Sequence, residues 1–128
     1  MADLDDVLAA NAAFYAAFEA GDMDAMSDVW EHTDRIACVH PGWQRLEGWA
    51  AVAASWFALF QNGQHLQFII TNERVEIAGD TAWVTCDENL LSDQQVGGTV
   101  AATNLFVRGD AGGWELVVHH GSPVADRA

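Results

Sequence analysis

Lysine is absent from the 128-residue chain, and five arginines stand against nineteen acidic residues, for a formal net charge of -14. Without lysine there is no Schiff-base nucleophile and no lysine general base. The negative field repels phosphate backbones and anionic headgroups, so neither nucleic acid nor a membrane surface is an expected partner. Solubility or a saline environment accounts for the acidity more simply than steering of a cationic substrate does. Cysteine is scarce too: Cys38 and Cys86 lie far apart, without metal-type spacing, each inside a run that reads as a strand. Both read as buried free thiols, with a disulfide between them left open. No HxH, HExxH or GxSxG motif occurs, and the five histidines are scattered, so no metal, serine nucleophile or cofactor is expected. The opening stretch MADLDDVLAANAAFYAAFEAG has no basic segment and no continuous apolar core. It reads as neither signal peptide nor membrane span, which makes the cytoplasm the default location.

What is present is bulk. Half the residues are apolar, and six Trp with six Phe supply enough surface for one hydrophobic core. Residues 1–128 therefore read as a single domain. Leu4, Val7, Leu8, Phe14, Tyr15 and Phe18 fall near helical spacing, with Asp3 placed to cap the start and Gly21 to end the helix. Asp22 caps a second, shorter helix through about Trp30. Arg35 to His40 reads as a short strand ended by Pro41-Gly42. Trp49, Val52, Ala53, Trp56, Phe57 and Phe60 mark a third helix, closed at Asn62-Gly63.

Beyond Gly63 the period changes. HLQFIITNERVEIAGD, TAWVTCDENLLSDQ, GGTVAATNLFVRGD and WELVVHHGSPV are rich in β-branched and aromatic residues and are separated by short turns. Such connections join antiparallel neighbours, so these stretches predict a four-strand meander. Three helices followed by long antiparallel strands make an α+β domain, with the helices on one face of a strongly curved sheet. A curved sheet closed by helices forms a cone with an internal pocket, a place for a small molecule.

Three stretches carry a resemblance: NAAFYAAFEAGDMDAMSDVW, VHPGW followed by LEGWAAVAASW, and WELVVHHGSP. Over roughly residues 4–124 the chain resembles the nuclear-transport-factor-2-like superfamily, with its cystatin-like fold, and within it the SnoaL-like group. That resemblance implies a homodimer formed through the outer face of the sheet and a pocket inside the cone. It leaves function open, because the fold hosts isomerases, polyketide cyclases, dehydratases and non-catalytic binding or assembly domains. The ketosteroid isomerases among its relatives use a carboxylate base with a Tyr and a protonated Asp as oxyanion donors. That trio does not map onto this chain residue by residue, and Tyr15 is its only tyrosine.

The candidate acid–base residues are His40, His120, Asp87 and Glu88. His40 ends a strand beside Pro41-Gly42 and Trp43, where an imidazole can exchange a proton with a ligand carbonyl or else cap a turn. His119 and His120 alternate faces. Since Glu115 prefers solvent and shares a parity with His119, His120 is expected to point inward and His119 toward the dimer or water. Asp87 and Glu88 also alternate, so one enters the cone, where desolvation would raise its pKa toward neutrality. Asn11 and Asn104 place polar groups on apolar elements and need partners, a ligand or the backbone. Together with Tyr15 and the walls Trp30, Trp43 and Trp56 they complete the expected pocket. The expected function is binding of a small, largely apolar carbonyl or hydroxyl compound, with cofactor-independent isomerisation, cyclisation or dehydration if the domain is an enzyme. A non-catalytic ligand-binding or dimeric assembly module is the alternative.

Overall fold

The computed structural model describes residues 2–62, 66–92 and 95–125. Three helices, α1 (Ala2–Ala20), α2 (Met23–Val29) and α3 (Trp49–Phe60), lie where the 3.6-residue periods and, for α2, the Asp22 cap placed them. Gly21 ends α1 at φ +62°, a conformation that side chains with a Cβ rarely adopt. Asp22 then caps α2 by accepting a hydrogen bond from the Ala25 amide (3.1 Å). Asp3 is no cap: it lies within the first turn of α1 and takes an ion pair from Arg108 (3.0 Å). The expected helix closure at Gly63 falls outside the described residues.

The strands are β1 (Ala37–Val39), β2 (Leu46–Glu47), β3 (Leu66–Ala78), β4 (Thr81–Ser92), β5 (Gln95–Arg108) and β6 (Trp114–Pro123). They form one open mixed sheet in the order β2-β1-β6-β5-β4-β3. β3 to β6 make the antiparallel meander, with Gly79 at φ +60° in the turn between the first pair. The predicted break at Ser92 to Gly98 is narrower than expected, since strand pairing resumes at Gln95, and residues 93–94 are not described. β1 runs parallel to β6, and β2 folds back beside it. Two residues are too few to show a period, so β2 leaves no trace in the sequence.

Three irregularities bend the sheet around the helices. Pairing shifts between Thr71 and Arg74 in β3, between Asn89 and Leu91 in β4, and at β6, where Leu105 faces Val118 but Phe106 faces Leu116. Val117 is thus an extra residue in its strand, a β-bulge that reverses the alternation of faces beyond it. Trp114 and Leu116 point inward before the bulge, and His119 and Gly121 point inward after it. The core between sheet and helices is built on Phe14, Trp30, Trp56, Phe106 and Leu116, all essentially inaccessible.

Candidate functional site

At one end of this core a cavity of about 500 Å³ remains between α1, α3 and the curled sheet. Phe18, Phe60, Phe68 and Trp43 give it an aromatic wall, and His40 and Glu88 bring the polar groups that converge on it. Trp43 stands 44% exposed at the rim, while His40 and Glu88 are 3% and 2% exposed. The turn after β1 therefore does place an imidazole at a cavity, with Trp43 edge-on at 4.8 Å and Trp56 behind it at 4.7 Å.

Glu88 faces inward because Ala82, Val84, Cys86 and Glu88 share the buried parity of β4. Its Oε2 accepts a hydrogen bond from the Tyr15 hydroxyl at 2.6 Å. Burial nevertheless dominates and pushes its carboxyl up to about 7, against the lowering effect of that bond. The Tyr15 phenol is driven far above its ordinary range by burial first, then by the nearby Glu88 charge. It is a hydrogen-bond donor, not a base. Burial also raises the thiols, Cys38 to about 12 and Cys86 to about 11, so neither is a nucleophile near neutrality. Both are free, which closes the disulfide question.

His40 is held by Ser55. The Ser55 hydroxyl donates to the Val52 carbonyl (2.7 Å), so its oxygen accepts from His40 Nε2–H at 2.8 Å. That assignment leaves His40 Nδ1 as an acceptor, with the Cys38 sulfur at 4.0 Å as its one hydrogen-bonding neighbour among the described residues. Burial lowers the imidazole to about 4, so at neutral pH it is uncharged.

The histidine pair on β6 is the reverse of the expectation. His119 is 1% exposed and faces the core; His120 is exposed on the outer face. The bulge at Val117 is the cause, because it inserts one residue between Glu115 and His119 and so breaks the parity that would have paired them. Asp87 also points outward, where Asn72 donates to it (2.8 Å). With Thr85, Thr103 and Val118, Asp87 and His120 line a shallow hollow of about 630 Å³ on the outer sheet face, away from Glu88. Neither can share a proton with a ligand in the inner cavity.

Asn11, Tyr15 and Asn104 are buried but lie behind the cavity, in a hydrogen-bonded layer with His119. Trp56 supports His40 from the core, and Trp30 sits elsewhere, bridged to Leu116. Of the sequence candidates, only His40, Trp43 and Glu88 line the cavity itself. Sequence reading missed Ser55, which lies on the buried stripe of α3, and Glu73, which a β3 irregularity turns toward Asn11. No group of three or more potential metal ligands occurs among the described residues.

The two buried imidazoles predict an acid transition. Burial lowers His119 to about 3, with the His40 and His120 charges adding to it, and His40 to about 4. Each folded value lies below the unfolded one near 6.5, so their contribution is complete above that pH and is lost as pH falls through it toward 4 and 3. Thermal unfolding scans should show stability dropping from pH 6.5 to 4. Imidazole NMR should show both rings still neutral in the folded protein at pH 5.5.

Comparison with known proteins places this geometry in a family. Residues 7–126 match the model of the SnoaL-like domain. A Streptomyces avermitilis protein described as a candidate dehydratase of the NTF2-like family is 40% identical, with a TM-score of 0.89 over 98% of both chains. A Thiobacillus denitrificans protein described as a candidate calcium/calmodulin-dependent protein kinase type II association domain is also 40% identical, with a TM-score of 0.80 over 91% of this chain and 94% of that one. The F-box protein SKIP8 of Arabidopsis thaliana is 30% identical over 91% of this chain, which spans only 48% of that protein's length. No described helix is long and apolar enough to cross a membrane.

Proposed function

The chain belongs to the SnoaL-like domain family, and from that premise we propose that it binds a small, largely apolar carbonyl or hydroxyl compound and moves protons on it through Glu88. The observation that carries this reading is a carboxyl 2% exposed, held near pH 7 and opening onto an aromatic cavity. A base with that pKa is matched to work at neutral pH. Tyr15 occupies Oε2, which leaves Oε1 for the ligand. The carboxylate takes a proton from the carbon next to a carbonyl; the electron pair becomes a carbon–carbon double bond as a β-hydroxyl leaves. The same carboxyl then returns its proton to that leaving group, which departs as water. On a β,γ-unsaturated carbonyl compound, where nothing leaves, the same carboxyl instead returns the α-proton to the γ-carbon of the dienolate, which shifts the double bond and completes an isomerisation. The Streptomyces avermitilis relative supports the dehydration branch.

Charge narrows the ligand. No arginine lines the cavity among the described residues, and Glu19 adds a second carboxylate to its wall. Phosphorylated and carboxylated substrates are disfavoured there. The reading is tested without knowing the substrate by following exchange of α-protons of cyclohexanone for deuterium in D₂O. Saturable acceleration over buffer supports it, and exchange at the buffer rate overturns it.

An assembly role has its own support in the Thiobacillus denitrificans relative and the shallow outer hollow. We propose that this face, with Thr103, Val118 and Ile69, joins two copies of the chain. Light scattering of the wild type should give a dimer mass and Thr103→Arg a monomer. An unchanged mass in the variant would place any contact elsewhere.

A further inference from the structure

Behind Glu88 lies a hydrogen-bonded cluster, buried except for Glu73 at its far end, of which proton transfer as described uses only Tyr15. Asn104 Oδ1 accepts from His119 Nδ1–H at 2.6 Å. Its Nδ2 donates to Asn11 Oδ1 at 2.9 Å and to the Tyr15 oxygen at 3.1 Å. Asn11 in turn donates to Glu73 Oε2 at 2.7 Å. With the Asn104 amide in this orientation both of its hydrogens are committed, and its oxygen pairs with the His119 tautomer that carries the proton on Nδ1.

The consequence falls on Tyr15. Its oxygen receives the Asn104 amide, and the Cys86 sulfur lies at 3.5 Å, so its single proton has one strong acceptor left, Glu88 Oε2. All donors in the cluster run the same way and end on two carboxylates, Glu73 at the surface and Glu88 at the cavity. Hydrogen bonds aligned in this manner polarise one another.

The geometry points to Asn104 as the positioning residue of the candidate site: held by His119 and Asn11, its amide pins the Tyr15 oxygen so that the phenol proton stays on Glu88 Oε2 and the other carboxyl oxygen faces the cavity. Asn104 touches no ligand and acts through Tyr15. The inference rests on Glu88 as the acid–base residue. The other titratable groups around that carboxyl are Cys86 on its own strand, Cys38 on β1, and His40 and Glu19 at the same cavity. None of them donates to it among the described residues.

The test reads the Glu88 carboxyl directly, by carbon NMR of protein labelled at the glutamate carboxyl, with the resonance identified by its loss in Glu88→Gln. Tyr15→Phe should raise the Glu88 midpoint by about one pH unit, the effect of losing one donor to a charged acceptor. Asn104→Leu, neutral and of similar volume, should move it in the same direction, and the double variant should move it no further than Tyr15→Phe alone. An Asn104→Leu midpoint equal to wild type, or a shift of the same size in both backgrounds, would overturn the proposal. Should Asn104→Leu not fold, the wild type decides: the Asn104 side-chain amide resonances should shift with the Glu88 midpoint, and positions constant through that titration would sink the idea. Because these readouts need no turnover, failure of cyclohexanone exchange with the midpoints coupled would remove the catalytic reading and leave the positioning intact.

Discussion

Glu88→Gln is expected to slow proton exchange on a bound ketone by orders of magnitude while making the protein more stable at alkaline pH. Loss of a general base costs about 10²- to 10⁴-fold in rate. Glutamine keeps the size of the side chain and an oxygen for the Tyr15 hydroxyl, so the rate falls without loss of the cavity wall. The stability effect has the opposite sign. The folded value of Glu88, about 7, lies above its ordinary 4.5, so its contribution is complete below the lower figure and is lost as pH rises through 7, when a charge must be buried. The penalty removed at pH 9 is about 3 kcal/mol at most. Wild-type exchange should rise with pH to a plateau above about 7 as the base ionises. Denaturant unfolding of both proteins at pH 5 and pH 9, alongside the exchange rates, gives the comparison. A variant that is less active yet no more stable at pH 9 would mean that Glu88 is solvated in the folded protein and is not the buried base described.

Trp56→Ala carries the largest expected loss of stability. The indole is inaccessible and has Phe14 (5.6 Å), Phe18 (4.8 Å), His40 (4.7 Å), Phe60 (5.9 Å) and His119 (6.1 Å) around it. These neighbours come from α1, α3, β6 and the β1 turn, so no single element can move in to fill the space. Truncating a buried tryptophan to alanine costs about 3–5 kcal/mol, a large part of the roughly 5–15 kcal/mol that holds a domain together. The melting temperature should fall by about 10–20 °C. A local consequence separates this effect from general loosening: water admitted beside His40 weakens the desolvation that holds its imidazole near 4, so its titration midpoint should climb. Calorimetry checks the first effect and imidazole NMR the second. A drop of only a degree or two would show that the aromatic cluster repacks.

Much of the fold was legible because it rests on local rules. The apolar stripe from Val7 to Phe18 and the stripe through Trp49, Val52 and Trp56 predict α1 and α3. Asp22 announced the start of α2 by cap chemistry, and the β-rich runs after residue 65 announced the meander. The site was half legible for the same reason. Asn11 and Asn104 stood out as polar groups on apolar elements, Tyr15 as the only tyrosine and Glu88 as one of an alternating acidic pair, and each is buried with a hydrogen-bond partner.

What alternation along one strand cannot contain is the register against the next. Glu115 predicts a solvent face for its own parity, but the extra residue Val117 transfers that parity to the other side before His119 is reached. The choice of His119 over His120 is therefore made by pairing between β5 and β6, as the aim of Glu73 is made by the irregularity in β3. The amino-acid sequence by itself determined the elements, their order and the family resemblance, because these depend on neighbours within a few turns or pleats. Only the tertiary structure decided which side chains meet: residues 11, 15, 73, 88, 104 and 119 form one cluster because a bent sheet wraps α1, and the bends are set by hydrogen bonds between strands far apart in the chain.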